Sequence, residues 1–172
     1  MSEVFFQQEA EQAETDPLLQ LVSFNIGEEI FGVNILMVQE IIRSTPVTPI
    51  PDSPPFIEGV INLRGNIIPV IDLRKRLDMT LQKHNTDKVW IIILNINSRT
   101  AGFIVDFVSD VLKVAKTDIK PPPDIVSAGL NSQYIKGVCN IEKGLLVLLD
   151  FNRILMIDEI KKLKDIEEKK AI

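Results

Sequence analysis

The chain has 172 residues, 45% of them hydrophobic, with 19 Lys and Arg against 24 Asp and Glu, a net charge of −5 and a pI near 5.0. A chain of this size buries enough surface to fold without a disulfide or cofactor, and its single cysteine, Cys139, excludes an internal disulfide. Apart from Arg74–Arg76 and the C-terminal lysines the basic residues are scattered, which argues against nucleic acid as a partner, because phosphate binding needs clustered Lys and Arg.

Residues 1–17 read as a flexible N-terminal tail, with five acidic residues and no Lys or Arg. A secretory signal needs a basic start and an apolar run, so this tail is not one. The longest clean apolar run, Val89–Leu94, falls far short of the roughly 20 residues of a membrane span. These features predict a cytoplasmic protein with no direct membrane insertion.

From Leu21 onward, short apolar runs alternate with turn residues, the pattern of strands. Leu21–Ile26 and Ile30–Val33 flank Gly27-Glu28-Glu29 and predict a hairpin. Asn34–Arg43 starts as a helical turn, with Ile35, Val38 and Ile41 recurring every three residues. Thr45–Pro55 holds five prolines, which exclude a helix or a central strand and leave an extended connector. Gly59–Leu73 predicts a second hairpin turning at Gly65-Asn66, with Asp72 capping a short helix over Leu73–Leu77. Val89–Ile96, β-branched and aromatic, predicts a strand, and Ala101–Val105 and Val108–Val114 continue the sheet. Pro121–Pro123 stiffen the segment Asp118–Ile125. Gly137–Phe151 predicts a hairpin turning at Glu142-Lys143-Gly144. The end, 156–172, predicts a charged C-terminal helix with an apolar stripe of Ile157, Ile160, Leu163 and Ile166.

The chain repeats itself. Phe56–Leu77 aligns without gaps on Tyr134–Leu155, an offset of 78 with six identities in 22 positions: Ile57/Ile135, Gly59/Gly137, Val60/Val138, Asn62/Asn140, Asp72/Asp150 and Leu77/Leu155. Upstream, an offset of 70 pairs Asn25-Ile26 with Asn95-Ile96, Gly32 with Gly102, and Val38–Ile41 with Val108–Val111. Each copy reads as two strands, a short turn, a proline connector, a hairpin and a short helix. Such short strands suit a small closed barrel, which leaves no exposed edges. The fold class predicted is mainly β: two similar five-stranded small β-barrels sharing a core, with short helices and a C-terminal helix. Residues 18–155 form the domain, with pseudo-repeat halves of about 18–80, packed by the helix of 150–172, and 86–150.

Chemistry is sparse. His84 lies in a polar loop, and one His with one Cys cannot make a zinc site of the usual ligand types. No phosphate loop or nucleophile elbow is present. Cys139, inside Gly137-Val138-Cys139-Asn140-Ile141, reads as a core residue rather than a reactive thiol. Asp72 and Asp150 could pair as catalytic carboxylates, but each stands where a strand meets a short helix, the place of a cap. No catalytic residue, metal or cofactor is predicted, and the chain does not read as an enzyme.

Three stretches carry a resemblance to a known family: Phe31–Ile41, Pro55–Leu73 with its Asn62-Leu63-Arg64-Gly65 hairpin, and Gly102–Val111. They resemble the bacterial chemotaxis coupling family CheW over about Leu19–Leu155. The resemblance implies a pair of five-stranded barrels and a scaffold that joins the cytoplasmic tips of chemoreceptors to the regulatory domain of the histidine kinase CheA, at the inner face of the membrane. Other copies of such a protein are further partners. Carried over residue by residue, it implies a receptor groove of Val38, Glu40, Ile41, Asn62, Arg64 and Val105. Glu40 and Arg64 would fix the groove by opposite charge. Kinase contacts would fall on Val47, Ile50, Gly59, Val60, Pro122, Asp124 and Ile125, in and around the two connectors. Ile125 stands where family members often carry a bulky aromatic.

Overall fold

The computed structural model describes residues 17–79, 89–122 and 132–155. The expectations for the N-terminal tail, His84, Asp124, Ile125 and the C-terminal helix lie outside the described residues.

Ten strands follow the predicted order: β1 Leu18–Ile26, β2 Glu29–Asn34, β3 Val38–Arg43, β4 Ile57–Leu63, β5 Asn66–Asp72, β6 Trp90–Ile96, β7 Arg99–Val105, β8 Phe107–Ala115, β9 Ile135–Ile141 and β10 Gly144–Leu149. The short helices α1 Leu73–Arg76 and α2 Phe151–Ile154 follow β5 and β10. The helical periodicity after Asn34 gives only one 3-10 turn, Ile35–Met37, before β3 begins. Asn34 starts that turn by accepting the Leu36 amide at 3.0 Å.

The second hairpin turns one residue earlier than predicted. Its central residues are Arg64 (φ 53°) and Gly65 (φ 84°), and Leu63 pairs with Asn66. Two consecutive positive φ angles match the right-handed twist of the flanking strands. Asn62 takes the Gly65 amide at 3.0 Å and so locks the turn.

The mainly β fold is borne out as two five-stranded sheets, ordered β8-β1-β2-β10-β9 and β3-β6-β7-β5-β4. The repeat is visible in the register. Leu21 pairs with Asn34 as Ile91 pairs with Ile104, and Val60 with Pro69 as Val138 with Val147. The strand order is the same in both sheets once the copies are superposed. One element is exchanged, however. The β1–β2 hairpin of the first copy sits with β8, β9 and β10 of the second, while β6–β7 sits with β3, β4 and β5. The seams of that exchange are the antiparallel pairings of β1 with β8 and β3 with β6 and the parallel pairings of β2 with β10 and β5 with β7, which set Gly32 beside Leu148 and Gly102 beside Val70. The expectation that each copy closes its own barrel is corrected: each barrel is built from both copies.

The strand ladders are open, and each proline-bearing connector folds back across the gap. Thr48 exchanges two backbone hydrogen bonds of 2.9 Å with Val60, and Lys120 does the same with Val138 at 2.9 and 2.8 Å. This explains the repeated glycines. A Cβ on Gly59 would lie 2.1 Å from the Thr48 carbonyl oxygen, and one on Gly137 3.0 Å from that of Lys120. Only hydrogen fits where connector and strand meet so closely.

Burial is divided three ways. Leu21, Val114, Cys139, Leu146 and Leu148 fill one barrel, and Ile61, Ile68, Val70, Ile91 and Ile93 the other. A larger core between the barrels takes Phe24, Phe31, Ile71, Leu77, Leu94, Phe103, Tyr134 and Phe151 from both copies. Arg76 lies across this junction, its guanidinium 4.7 Å from the Phe56 ring and 4.6 Å from the equivalent Tyr134 ring, with Nε donating to the Ile154 carbonyl. Buried Arg74 donates to Asp106 at 2.6 Å, and the same carboxylate accepts the Gly27 amide at 2.7 Å. The exchanged hairpin is thereby tied to α1. Among the described residues no helix is long and apolar enough to cross a membrane.

Candidate functional site

Glu40 stands on β3 and Arg64 on the β4–β5 turn. Neither position needs the charge for folding. Glu40 is half-buried and Arg64 is 77% exposed, and Arg64 holds a left-handed conformation that glycine or asparagine would hold with less strain. Arg64 Nη2 nevertheless donates to Glu40 Oε1 at 2.9 Å. An exposed pair of this kind contributes at most about 1 kcal/mol to stability. Its effect is positional: the guanidinium is held over the end of the barrel.

The pair walls a concavity of about 340 Å³ lined by Gln39, Leu63, Asn66, Ile67, Ile68, Ser98 of the β6–β7 turn, and Arg99 and Thr100 at the start of β7. Ile67 is 37% exposed, so the cleft has an apolar side as well as a charged one. Nothing in it supplies a nucleophile with an adjoining base.

The groove set expected from the sequence comes together in part. Glu40 and Arg64 meet as predicted. Ile41 is exposed further along β3. Val38 packs against the inter-barrel core, and Asn62 holds the turn. Val105 is a correction. It is fully buried in β7, paired with Trp90, and has no surface to offer a partner. Gln39, Ile67, Ser98, Arg99 and Thr100 complete the cleft without having been expected there. The β6–β7 hairpin belongs to the second copy and reaches this cleft through the exchange, which no local sequence signal marks.

The connector residues divide similarly. Val47 is half-buried against the barrel core containing Ile61 and Ile68, and Ile50 is half-buried against the inter-barrel core. Pro122 is half-buried. Gly59 and Val60 are corrections, because both are buried beneath Thr48 and serve barrel closure.

Asp72 and Asp150 are caps, as their repeat positions predict. Asp72 Oδ1 accepts the Arg74 amide at 2.9 Å and Asp150 Oδ1 the Arg153 amide at 3.2 Å. Their own amides donate to the equivalent carbonyls of Phe56 and Tyr134. Carboxylates held by backbone amides at helix starts satisfy orphan donors. Cys139 is buried, and that burial pushes its thiol pKa up, away from reactivity.

This arrangement, paired barrels with a charged cleft at a barrel end, defines a binding module. A family model, the CheW-like domain, matches residues 20–159. The chain is 35% identical to the chemotaxis protein CheW of Treponema pallidum, over 90% of this chain and 92% of that one. It is 39% identical to the chemotaxis protein CheW of Rhizobium meliloti, over 81% and 89%. The scaffolding protein TtCheW of Thermoanaerobacter tengcongensis has the same fold, with a TM-score of 0.74 and 33% identity over 82% of this chain and 90% of that one. The chain belongs to the CheW-like domain family.

Proposed function

We propose that this protein is a non-catalytic coupling adaptor of chemotaxis signalling, joining chemoreceptors to a histidine kinase of the CheA type. Membership of the CheW-like domain family and relatives named as chemotaxis and scaffolding proteins support the general role. The observation that carries the finer reading is the Glu40–Arg64 pair, a charged clamp held at the mouth of a cleft by a strained turn residue.

The receptor tip occupies this cleft, with Ile41 and Ile67 as apolar anchors and Arg64 as the polar contact, in the manner of a helix laid in a groove. The kinase regulatory domain meets the connectors, through Val47, Ile50 and Pro122, and further copies of the chain extend the array. The connectors cross different barrels, so one molecule can hold two partners at once. The protein works in the cytoplasm, at the inner face of the membrane, held there by the receptors.

Co-sedimentation with receptor fragments and kinase tests this. Arg64→Glu places two acids face to face and weakens receptor recruitment by about tenfold or more, the effect of about 1.4 kcal/mol, while kinase recruitment stays intact. Undiminished receptor recruitment by a folded Arg64→Glu protein removes the assignment.

A further inference from the structure

The repeat places a second cleft on the other barrel. Gln39-Glu40 correspond to Ser109-Asp110, Leu63-Arg64 to Ile141-Glu142, and Ser98–Thr100 to Glu28–Ile30. A concavity of about 500 Å³ lies there, its lining including Gly27, Ile30, Phe107, Leu112, Ile141 and Glu142. It is larger than the first cleft, at about 340 Å³. It even repeats the clamp: Lys143 Nζ on the β9–β10 turn donates to Asp110 Oδ2 on β8 at 3.1 Å.

Two features make this cleft different in kind. Phe107 is 55% exposed at its edge, where the first copy has Met37, a residue packed against the inter-barrel core. The rim charge is also inverted. The first cleft carries Arg64 and Arg99 against Glu40. The second carries Asp110 and Glu142 against Lys143, with the exposed Glu28 on the β1–β2 turn and Glu29 at the start of β2, between its lining residues Gly27 and Ile30. The apolar floor comes from three strands, Ile30 on β2, Leu112 on β8 and Ile141 on β9. It therefore runs across the strands and does not follow one edge. Such a floor suits a helix laid over it better than an added strand.

We infer that this second cleft docks an amphipathic helix of a partner protein, one whose apolar stripe is flanked by Lys and Arg. Phe107 and the Ile30–Leu112–Ile141 floor take the stripe, and the acidic rim selects the flanks. The site is separate from the Glu40–Arg64 cleft and does not depend on what that cleft binds.

The probe is a designed helical peptide of about five turns, with leucines on one face and lysine flanks, titrated into the full-length protein and followed by amide chemical shifts. A second peptide carries glutamates in place of the lysines. The lysine peptide shifts Phe107, Ser109, Leu112 and Ile141, and the glutamate peptide binds at least about tenfold more weakly, the direction electrostatic complementarity requires. Phe107→Ser abolishes the shifts, while receptor recruitment through the first cleft is unchanged. Equal affinity for both peptides, shifts confined to Glu40, Arg64 and Arg99, or absence of binding overturns the inference. Two further results do so as well: preferential binding of an extended peptide, and a concentration-dependent dimer that Phe107→Ser dissolves, which makes a second copy the occupant.

Discussion

At the scale of single residues, Arg64 keeps a charged side chain in a turn position that glycine would fill with less strain. Its φ of 53° is disfavoured for a side chain with a Cβ by about 1 kcal/mol. Arg64→Gly relieves that and gives up an exposed ion pair of similar or smaller size. The variant is therefore as stable as the parent or slightly more so by denaturant melts, yet poorer at recruiting receptor. The glycines give the opposite case. Gly59→Ala drives a Cβ into the Thr48 carbonyl, whereas a Cβ added at Gly65 has nothing within 4 Å and meets only the positive φ. Gly59→Ala costs several kcal/mol and Gly65→Ala about 1 kcal/mol, because a backbone clash cannot relax as a turn can. Cys139 reacts with a thiol reagent at pH 8 only as fast as the native structure opens, since its burial both hides the sulfur and keeps the thiol protonated. Denaturant removes both effects and restores rapid reaction.

At the scale of elements, the two short helices show how one repeated residue takes on two weights. Asp72 is 3% exposed, while the side chain of Asp150 keeps 24% exposure. Both accept a backbone amide at a helix start. Replacing an N-cap by alanine costs about 1 kcal/mol, rising to about 2 kcal/mol where water cannot replace the cap. Asp72→Ala is the more damaging of the two in a thermal melt. Strands, hairpins and caps are legible in the sequence because each rests on local chemistry: apolar runs, turn residues and an acid at a helix start. Sequence and structure part where local chemistry admits neighbouring answers. Arg64-Gly65 and Gly65-Asn66 are both acceptable turn centres, and strand register decides between them. Family resemblance places Val105 at the receptor groove, but its side chain packs into the inter-barrel core and is fully buried.

At the scale of the whole molecule, the exchanged hairpin is not readable from sequence. The copies match residue for residue at the seams, Gly32 with Leu148 and Gly102 with Val70, so self-pairing and exchanged pairing bury the same kinds of surface. Periodicity sees the strands and not their partners. The consequence is mechanical unity. With β1–β2 in one barrel and β3–β5 in the other, neither barrel can unfold without disrupting both copies and the core between them. Chemical denaturation followed by the fluorescence of Trp90, in one barrel, coincides with amide signals from β9 and β10 in the other. Cleft location is legible for Glu40 and Arg64, since both lie in the stretches that carry the family resemblance, while the β6–β7 turn that completes the cleft is distant in sequence and arrives only through the exchange. The proposed receptor site is that cleft, and the most direct measurement is receptor co-sedimentation with Arg64→Glu, Glu40→Arg and the double variant, each shown to be folded. Loss of receptor binding in Arg64→Glu with kinase binding retained, and at least partial recovery in the charge-swapped double variant, is the expected result. Receptor binding that stays at the parent level in both single variants contradicts it.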